Sequence, residues 1–443
     1  MRLSLALSAI SIVAMLGGCG PTLEKSPDAA PLPATVSPTS ASDVNWPAWR
    51  GVNAAGVGDG FALADRLETA QRWKSSIGGT GNSSPVVWGG HIYLTSQIGD
   101  RMRLSLQCFD RNDGKLVWQT EVADASGQTH AKNGHASASV ATNGERIFAF
   151  FGSAGLYAFD MQGKQLWRRD LGELEHRWGT ASSPVLFGDS VIQLCDRNED
   201  SYLASFRQSD GEPVWQTKRD SSGCWTTPVL FDPEGHDPQL IVNGTGGERG
   251  GSGHVIAYDP QNGRELWRVR GTTHVVCPTA ILGAGLIVST SGRNGPIMAI
   301  RPSAAGEPTV VWKTRRGGPY VPTGVAYRNR LYLINDGGVL ACYNLGDGEQ
   351  LWEHRLRGPV TASLVAGDGK LYVVSEQGEV SVVAAEDAFR LLGEYSLDEH
   401  TLATPALSGG QIFIRTDGHL FAFGKPSADD DALRAAMYAP LKQ

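Results

Sequence analysis

The chain has 443 residues, 41% of them hydrophobic, with 55 glycines and 23 prolines, a composition that suits a large all-β core broken by many turns. Its net charge of −7 leaves no basic footprint, which argues against nucleic acid as a partner. Six cysteines include no C-x-x-C pair, and an odd number remains once Cys19 is set aside, so a disulfide framework is not expected.

Residues 1–18 read as an export signal peptide. Arg2 supplies the positive start, and the apolar run from Leu3 to Leu16 is too short to span a bilayer. Leu16-Gly17-Gly18-Cys19 resembles a bacterial lipobox, which implies cleavage before Cys19 and a diacylglycerol on its sulfur; an ordinary signal peptide with an incidental Cys19 is the alternative. Gly20, where aspartate would retain a lipoprotein at the inner membrane, implies an outer-membrane anchor facing the periplasm. Residues 19–44 are rich in Pro, Ala, Ser and Thr and read as a lipidated, disordered tether. Residues 45–66 open on Asn45-Trp46-Pro47-Ala48-Trp49-Arg50-Gly51, a Trp-rich strap expected to dock Trp46 and Trp49 on the domain that follows.

From residue 67 one unit recurs. In Leu106–Trp118 an apolar run ends at Asp110, turns over Asn112-Asp113-Gly114, and resumes to place Trp118 four residues after the glycine. The same offset joins Gly163 to Trp167, Gly211 to Trp215, Gly263 to Trp267 and Gly348 to Trp352. A longer turn leads to Trp312, Tyr395 takes the aromatic slot of a further copy, and Trp73 marks one more. The markers recur at intervals of roughly 40–50 residues, a period that means one supersecondary unit stacked on copies of itself. Each is preceded by a hairpin of short apolar strands, with tight turns such as Gly89-Gly90, Asn143-Gly144, Gly188-Asp189, Gly367-Asp368 and Gly409-Gly410.

The fold class that follows is all-β: an eight-bladed β-propeller of four-stranded antiparallel blades over residues 67–424. Trp73 sits on a fourth strand with no first three, and the last copy, ending at Phe423, has three strands and no fourth. Pairing Arg72-Trp73-Lys74 with Gln411–Phe423 closes the ring and hides both edges; seven blades is the alternative. Residues 425–443 read as a tail with a short helix that starts at Asp429–Asp431.

Asp110 with Gly114 and Trp118, Asp160 with Gly163 and Trp167, and Asp259 with Gly263 and Trp267 resemble the A-x-D-x-x-T-G-x-x-x-W signature of PQQ-like β-propeller repeats. The resemblance implies that Trp73, Trp118, Trp167, Trp215, Trp267, Trp312 and Trp352 pack between blades. Its family divides into quinoprotein dehydrogenases, which bind pyrroloquinoline quinone (PQQ), and non-enzymatic BamB-like envelope lipoproteins. The dehydrogenases carry a disulfide between adjacent cysteines at the quinone, and this chain has no Cys-Cys pair, no C-x-x-C-H haem site and no long covering insertions. No catalytic residue is therefore assigned and no cofactor is expected, PQQ with Ca²⁺ being the alternative.

Asp196–Asp200 begins like a calcium loop, but Ser201 and Arg207 stand where such a loop needs glycine and glutamate. His130 and His135 share a loop with no third ligand nearby. No metal site is assigned. Most of Cys108, Cys195, Cys224, Cys277 and Cys342 lie on apolar strand patterns and read as small buried hydrophobes. The candidate binding residues are Arg177, Trp178, Trp225, Arg293, Tyr320 and Asp336, in loops that a propeller gathers at the ends of the ring around its channel. Aromatic and arginine side chains are the usual anchors of interfaces. The expected function is a lipid-anchored, non-catalytic scaffold for an envelope protein partner, with a glycan or small ligand as a further alternative.

Overall fold

A computed structural model describes residues 22–26, 44–99, 102–232, 237–245, 252–303 and 307–425. The signal peptide, Cys19 and the helix expected after residue 425 lie outside the described residues. Eight antiparallel sheets stand in a ring, as the repeats predict. Blades one to eight open with innermost strands that begin at Val86, Ala141, Val185, Val229, Ile281, Val325, Val365 and Ala406.

The residue pattern along each blade follows from its place in the stack. In blade two, Arg146–Phe150 and Leu156–Asp160 are covered by neighbouring blades on both faces, so they read as nearly unbroken apolar runs. The outer strand Gln165–Arg169 buries Trp167 and leaves most of its other side chains to solvent.

Blade eight is completed from the other end of the chain. Gln71–Ser76 pairs antiparallel with His419–Phe423, with Trp73 opposite Ala422 and Lys74 opposite Phe421. The join is reinforced by two guanidiniums that find carbonyl and side-chain oxygens but, among the described residues, no carboxylate. Arg111 of blade one donates to Gln411 Oε1 and to the Ser408 carbonyl of blade eight. Arg415 of blade eight donates to Ser83 Oγ and the Thr95 carbonyl of blade one. Burial pulls their pKa values down to about 10 and about 9, and both stay charged at neutral pH.

A second closed circuit runs round the hub. The backbone N–H of Ser84 donates to Ser139 Oγ, Ser139 to Ser183, Ser183 to Thr227, and Thr227 to Thr279. Thr279 donates to Thr323, Thr323 to Ser363, Ser363 to Thr404, and Thr404 back to Ser84. Each link spans 2.8–3.0 Å and joins one blade to the next. Thr279→Val removes one acceptor at constant shape and strands the buried Thr227 N–H. We expect a loss of about 1–3 kcal/mol in urea unfolding, and no loss would mean the belt contributes nothing to stability.

The tryptophan of each outer strand works on the next blade, not its own. The indoles of Trp73, Trp118, Trp167, Trp215 and Trp312 lie against Gly114, Gly163, Gly211, Gly263 and Gly348 of the following blade. Their positive φ, 73–84°, and the indole in the Cβ position together demand glycine there. Trp73, Trp167, Trp215, Trp312 and Trp352 each donate Nε1–H to a carbonyl in that neighbouring turn. Trp267 departs from the rule and donates to Gln239 Oε1 of its own blade. A β-bulge falls immediately before each tryptophan.

Two sequence expectations change. Blade seven has its bulge between Leu391 and Gly393, so Gly393 and not Tyr395 occupies the tryptophan register. A Cβ on Gly393 would sit 2.4 Å from the Asp65 carbonyl, because the strap backbone fills the space an indole takes elsewhere. Tyr395 packs edge-on against Phe423 one step further along. The other change concerns residues 19–44, read as tether throughout. Leu23–Lys25 instead form a fifth strand on the outer edge of blade five, with Leu23 opposite Thr314 and Lys25 opposite Trp312. Glu24 bridges to Lys313 and Arg315, and Lys25 to Asp347. Three residues suffice because the blade already supplies the template.

The strap crosses one end of the channel. Trp46 bridges to Val87, Thr142 N–H donates to the Pro47 carbonyl, and Val57 bridges to Ala366. Trp46 is buried, and Arg50 is buried beside it, donating to the carbonyls of Thr323, Gly324 and Leu364 in blades six and seven.

Candidate functional site

With the strap across one end, the channel forms, among the described residues, a funnel lined by segments that lead into the innermost strands. Its volume is about 510 Å³, within the range typical of small-molecule sites. Trp49 lines the funnel and, beyond it, a smaller apolar cleft at the strap face, so its indole separates the two. The wall above is the hydroxyl belt: Ser84, Ser183, Thr227, Thr323, Ser363 and Thr404 all face the space.

Five of the six loop residues singled out in the sequence meet at the mouth: Trp178, Trp225, Arg293, Tyr320 and Asp336. The indoles of Trp178 and Trp225 lie 5.3 Å apart at 45°, and Trp225 is held by its Nε1–H to the Gly179 carbonyl at 2.8 Å. Tyr320 is positioned by Asp336, whose carboxylate accepts the backbone N–H groups of Tyr320 and Val321 at 2.7 and 3.2 Å. Burial raises the Asp336 pKa above the usual carboxylate value. The Arg293 guanidinium lies 5.7 Å from the Tyr320 ring centre. Arg177 is the exception: it stacks on Trp178 at 4.4 Å and lines a neighbouring cavity.

Sequence reading missed the lid-side residues and the floor. The loop between blades one and two reaches over the mouth, where Asn133 Nδ2 donates to the Trp178 carbonyl at 2.7 Å. Lys132 crosses to Glu376 of blade seven at 2.6 Å. The belt had a visible trace, a serine or threonine two residues before the start of every innermost strand, whose meaning appears only when the blades are side by side. His130 lines the funnel and His135 the neighbouring cavity. Asp196 is committed elsewhere: its carboxylate takes Arg219 in a bidentate pair at 2.8 and 3.2 Å. Cys108, Cys195, Cys224 and Cys342 are buried, and Cys277 is half-buried on the funnel wall.

A second surface differs among the blades. The residue before the tryptophan, at the bulge of the outer strand, is apolar and 49, 42 and 48% exposed at Val117, Leu166 and Val214 of blades one to three. At the same position of blade five, Val311 is 1% exposed. There the N-terminal segment lies alongside, and Ser26 N–H donates to the Val311 carbonyl at 2.7 Å.

The family model described as outer membrane protein assembly factor BamB matches residues 52–230, 152–329 and 251–423. A curated relative, the outer membrane protein assembly factor BamB of Burkholderia pseudomallei (strain K96243), is 24% identical over 229 residues, 50% of this chain. The chain thus spans about half (52%) of that relative's length. Among solved structures, BamB from Moraxella catarrhalis superposes with a TM-score of 0.58 at 14% identity, covering 79% of this chain and 96% of that one. A europium-containing methanol dehydrogenase gives 0.66 at 12% identity, with coverages of 86% and 98%. Quinohemoprotein alcohol dehydrogenase from Comamonas testosteroni gives 0.67 at 13%, with 86% and 80%. At such identities these superpositions establish the propeller alone. With the family model spanning residues 52–423, the chain belongs to the BamB family of outer membrane protein assembly factors.

Proposed function

We propose that this protein is an exported, lipid-anchored, non-catalytic scaffold of the bacterial cell envelope, which holds partner protein by strand addition at its outer blade edges. The observation that carries the reading is the contrast between blade five and blades one to three. One edge is already capped by an extended segment, and three equivalent edges present exposed Val117, Leu166 and Val214 on outer strands that no further strand joins among the described residues. Exposed edges of this kind template the addition of another strand. The assembly-factor name carried by the relatives supports a role at the periplasmic face of the outer membrane.

What supports a non-catalytic reading is the funnel's own charge. A quinone bearing several carboxylates with its calcium ion wants unpaired cations and clustered hard oxygens. Of the two cations on the lining, Lys132 is tied to Glu376, which leaves Arg293 alone against several carboxylates, and among the described residues no three His, Cys, Asp or Glu side chains converge as metal ligands. These side chains do not fit that group.

Photo-crosslinkers at Leu166 and Val214 in native membranes test the reading. Discrete adducts with envelope proteins are expected, and Leu166→Lys with Val214→Lys should cut co-purification about tenfold or more while moving stability by no more than about 0.5 kcal/mol each. Co-purification unchanged by both charges would reject the edge mechanism. Dye reduction with an alcohol by protein loaded with PQQ and Ca²⁺ would reject the scaffold in favour of a dehydrogenase.

A further inference from the structure

We infer that the funnel is a binding site for a neutral pyranose disaccharide, a role independent of protein capture at the blade edges. Three features of the lining point to this class of ligand together, and each alone would not.

The first is the belt. Every one of its hydroxyl oxygens accepts a backbone N–H from the adjacent blade, yet none donates its own proton to a protein acceptor among the described residues. A hydroxyl has one donor and two acceptor positions. The N–H from the neighbour fixes one acceptor side, and the proton of each wall hydroxyl is left for whatever fills the funnel. Six unspent donors facing the funnel, all withdrawn from bulk water, call for a ligand rich in oxygen acceptors on several sides.

The second is the pairing of aromatic faces with that polar wall. Trp178 and Trp225 at the mouth and Trp49 at the floor are half-buried, each offering a flat apolar face beside hydrogen-bonding groups. A pyranose is amphipathic in the matching sense: axial C–H groups make one apolar face, and equatorial hydroxyls ring its edge. Fully apolar ligands would strand the belt, and a small acid or amine would leave the indoles uncovered.

The third is charge. Two cations approach the funnel, Lys132 and Arg293, and they are offset by Glu376 on Lys132 and by Asp336 in the wall. Asp336 already accepts two backbone N–H groups. The near balance disfavours a polyanion and suits an uncharged ligand, whose hydroxyls find both acceptors and donors at Asp336, Arg293 and Asn133.

The test uses the purified mature chain titrated with N,N′-diacetylchitobiose, cellobiose and maltose, read by tryptophan fluorescence and by saturation-transfer NMR. Saturable binding of at least one is expected. Trp178→Ala should weaken it about tenfold or more, and this variant is informative because the Trp178 indole N–H makes no hydrogen bond to the protein among the described residues. Trp225→Phe, which keeps an aromatic ring, should weaken it less, and unchanged thermal melts identify either effect as local. Galacturonate disaccharides should bind no better than the neutral sugars. Absence of saturable binding for all three neutral sugars, affinity unchanged in Trp178→Ala, or tighter binding of the anionic sugar would each overturn the inference. Loss of sugar binding with edge crosslinks intact, or the reverse, separates this site from the scaffold reading.

Discussion

Arg219→Ala is expected to destabilise the propeller by about 3–5 kcal/mol, the cost of leaving a buried carboxylate without its partner. Arg219 follows the outer strand of blade three, and Asp196 follows the second strand of the same blade. Their side chains are 1% and 0% exposed. The guanidinium also donates to the Tyr258 hydroxyl of blade four at 2.6 Å, so the pair ties two blades together. Burial alone would lower the Arg219 pKa, but the adjacent Asp196 carboxylate outweighs it and holds the group firmly protonated. The double variant Asp196→Leu with Arg219→Met removes both charges and should recover most of the loss, because hydrophobic replacement of a whole buried pair is often neutral. Urea unfolding of Asp196→Leu, Arg219→Met and the double gives the coupling. A double variant as unstable as the sum of the singles would show that the pair acts through shape and not charge.

Gly114→Ala should be comparably damaging, at about 2–5 kcal/mol. One part, roughly 1–2 kcal/mol, is the cost of a left-handed conformation for a residue with a Cβ; the other, about 1–3 kcal/mol, is overpacking. Gly114 has φ +74°, and an added Cβ would stand 2.5 Å from the Trp73 ring and 2.9 Å from Ser75 Cβ. Both contacts lie on the strand that closes the ring, so the crowding falls on the join between the two chain ends. Gly188→Ala separates the two contributions, since Gly188 has φ +50° and no atom within 4 Å of the new Cβ. It should lose only the conformational part. Equal losses at the two sites, measured by thermal melting, would mean that the indole yields freely.

The repeat made the architecture legible in the sequence alone. A fixed offset from glycine to tryptophan, hairpin turns between short apolar runs, and incomplete units at both ends are local patterns, and local patterns survive in a one-dimensional string. Asp110, for example, accepts the N–H groups of Asn112 and Asp113 within its own turn, a contact that sequence spacing alone dictates. The gathering of Trp178, Trp225, Arg293, Tyr320 and Asp336 was readable for the same reason, because each occupies one of two loop types, leading into a first strand or joining second to third, that recur in every unit.

Contacts between units were not readable. Gly114 and Trp118 look like partners in the string, yet the glycine serves Trp73 of one blade and Trp118 serves Gly163 of the next. Tyr395 looked like the missing aromatic because bulges, which shift register by one residue, leave no mark in composition. Leu23–Lys25 looked like tether because three polar-flanked residues carry no strand signal until an open edge offers them hydrogen bonds.

By itself the sequence determined the unit, its eightfold repetition and the closure by chain ends, since these rest on turn chemistry and alternation between near neighbours. Only the tertiary structure decided which end of the channel is plugged, how the hydroxyls join into one belt, and which blade edges remain open. Those depend on surfaces meeting across the ring, where no spacing along the chain records the distance.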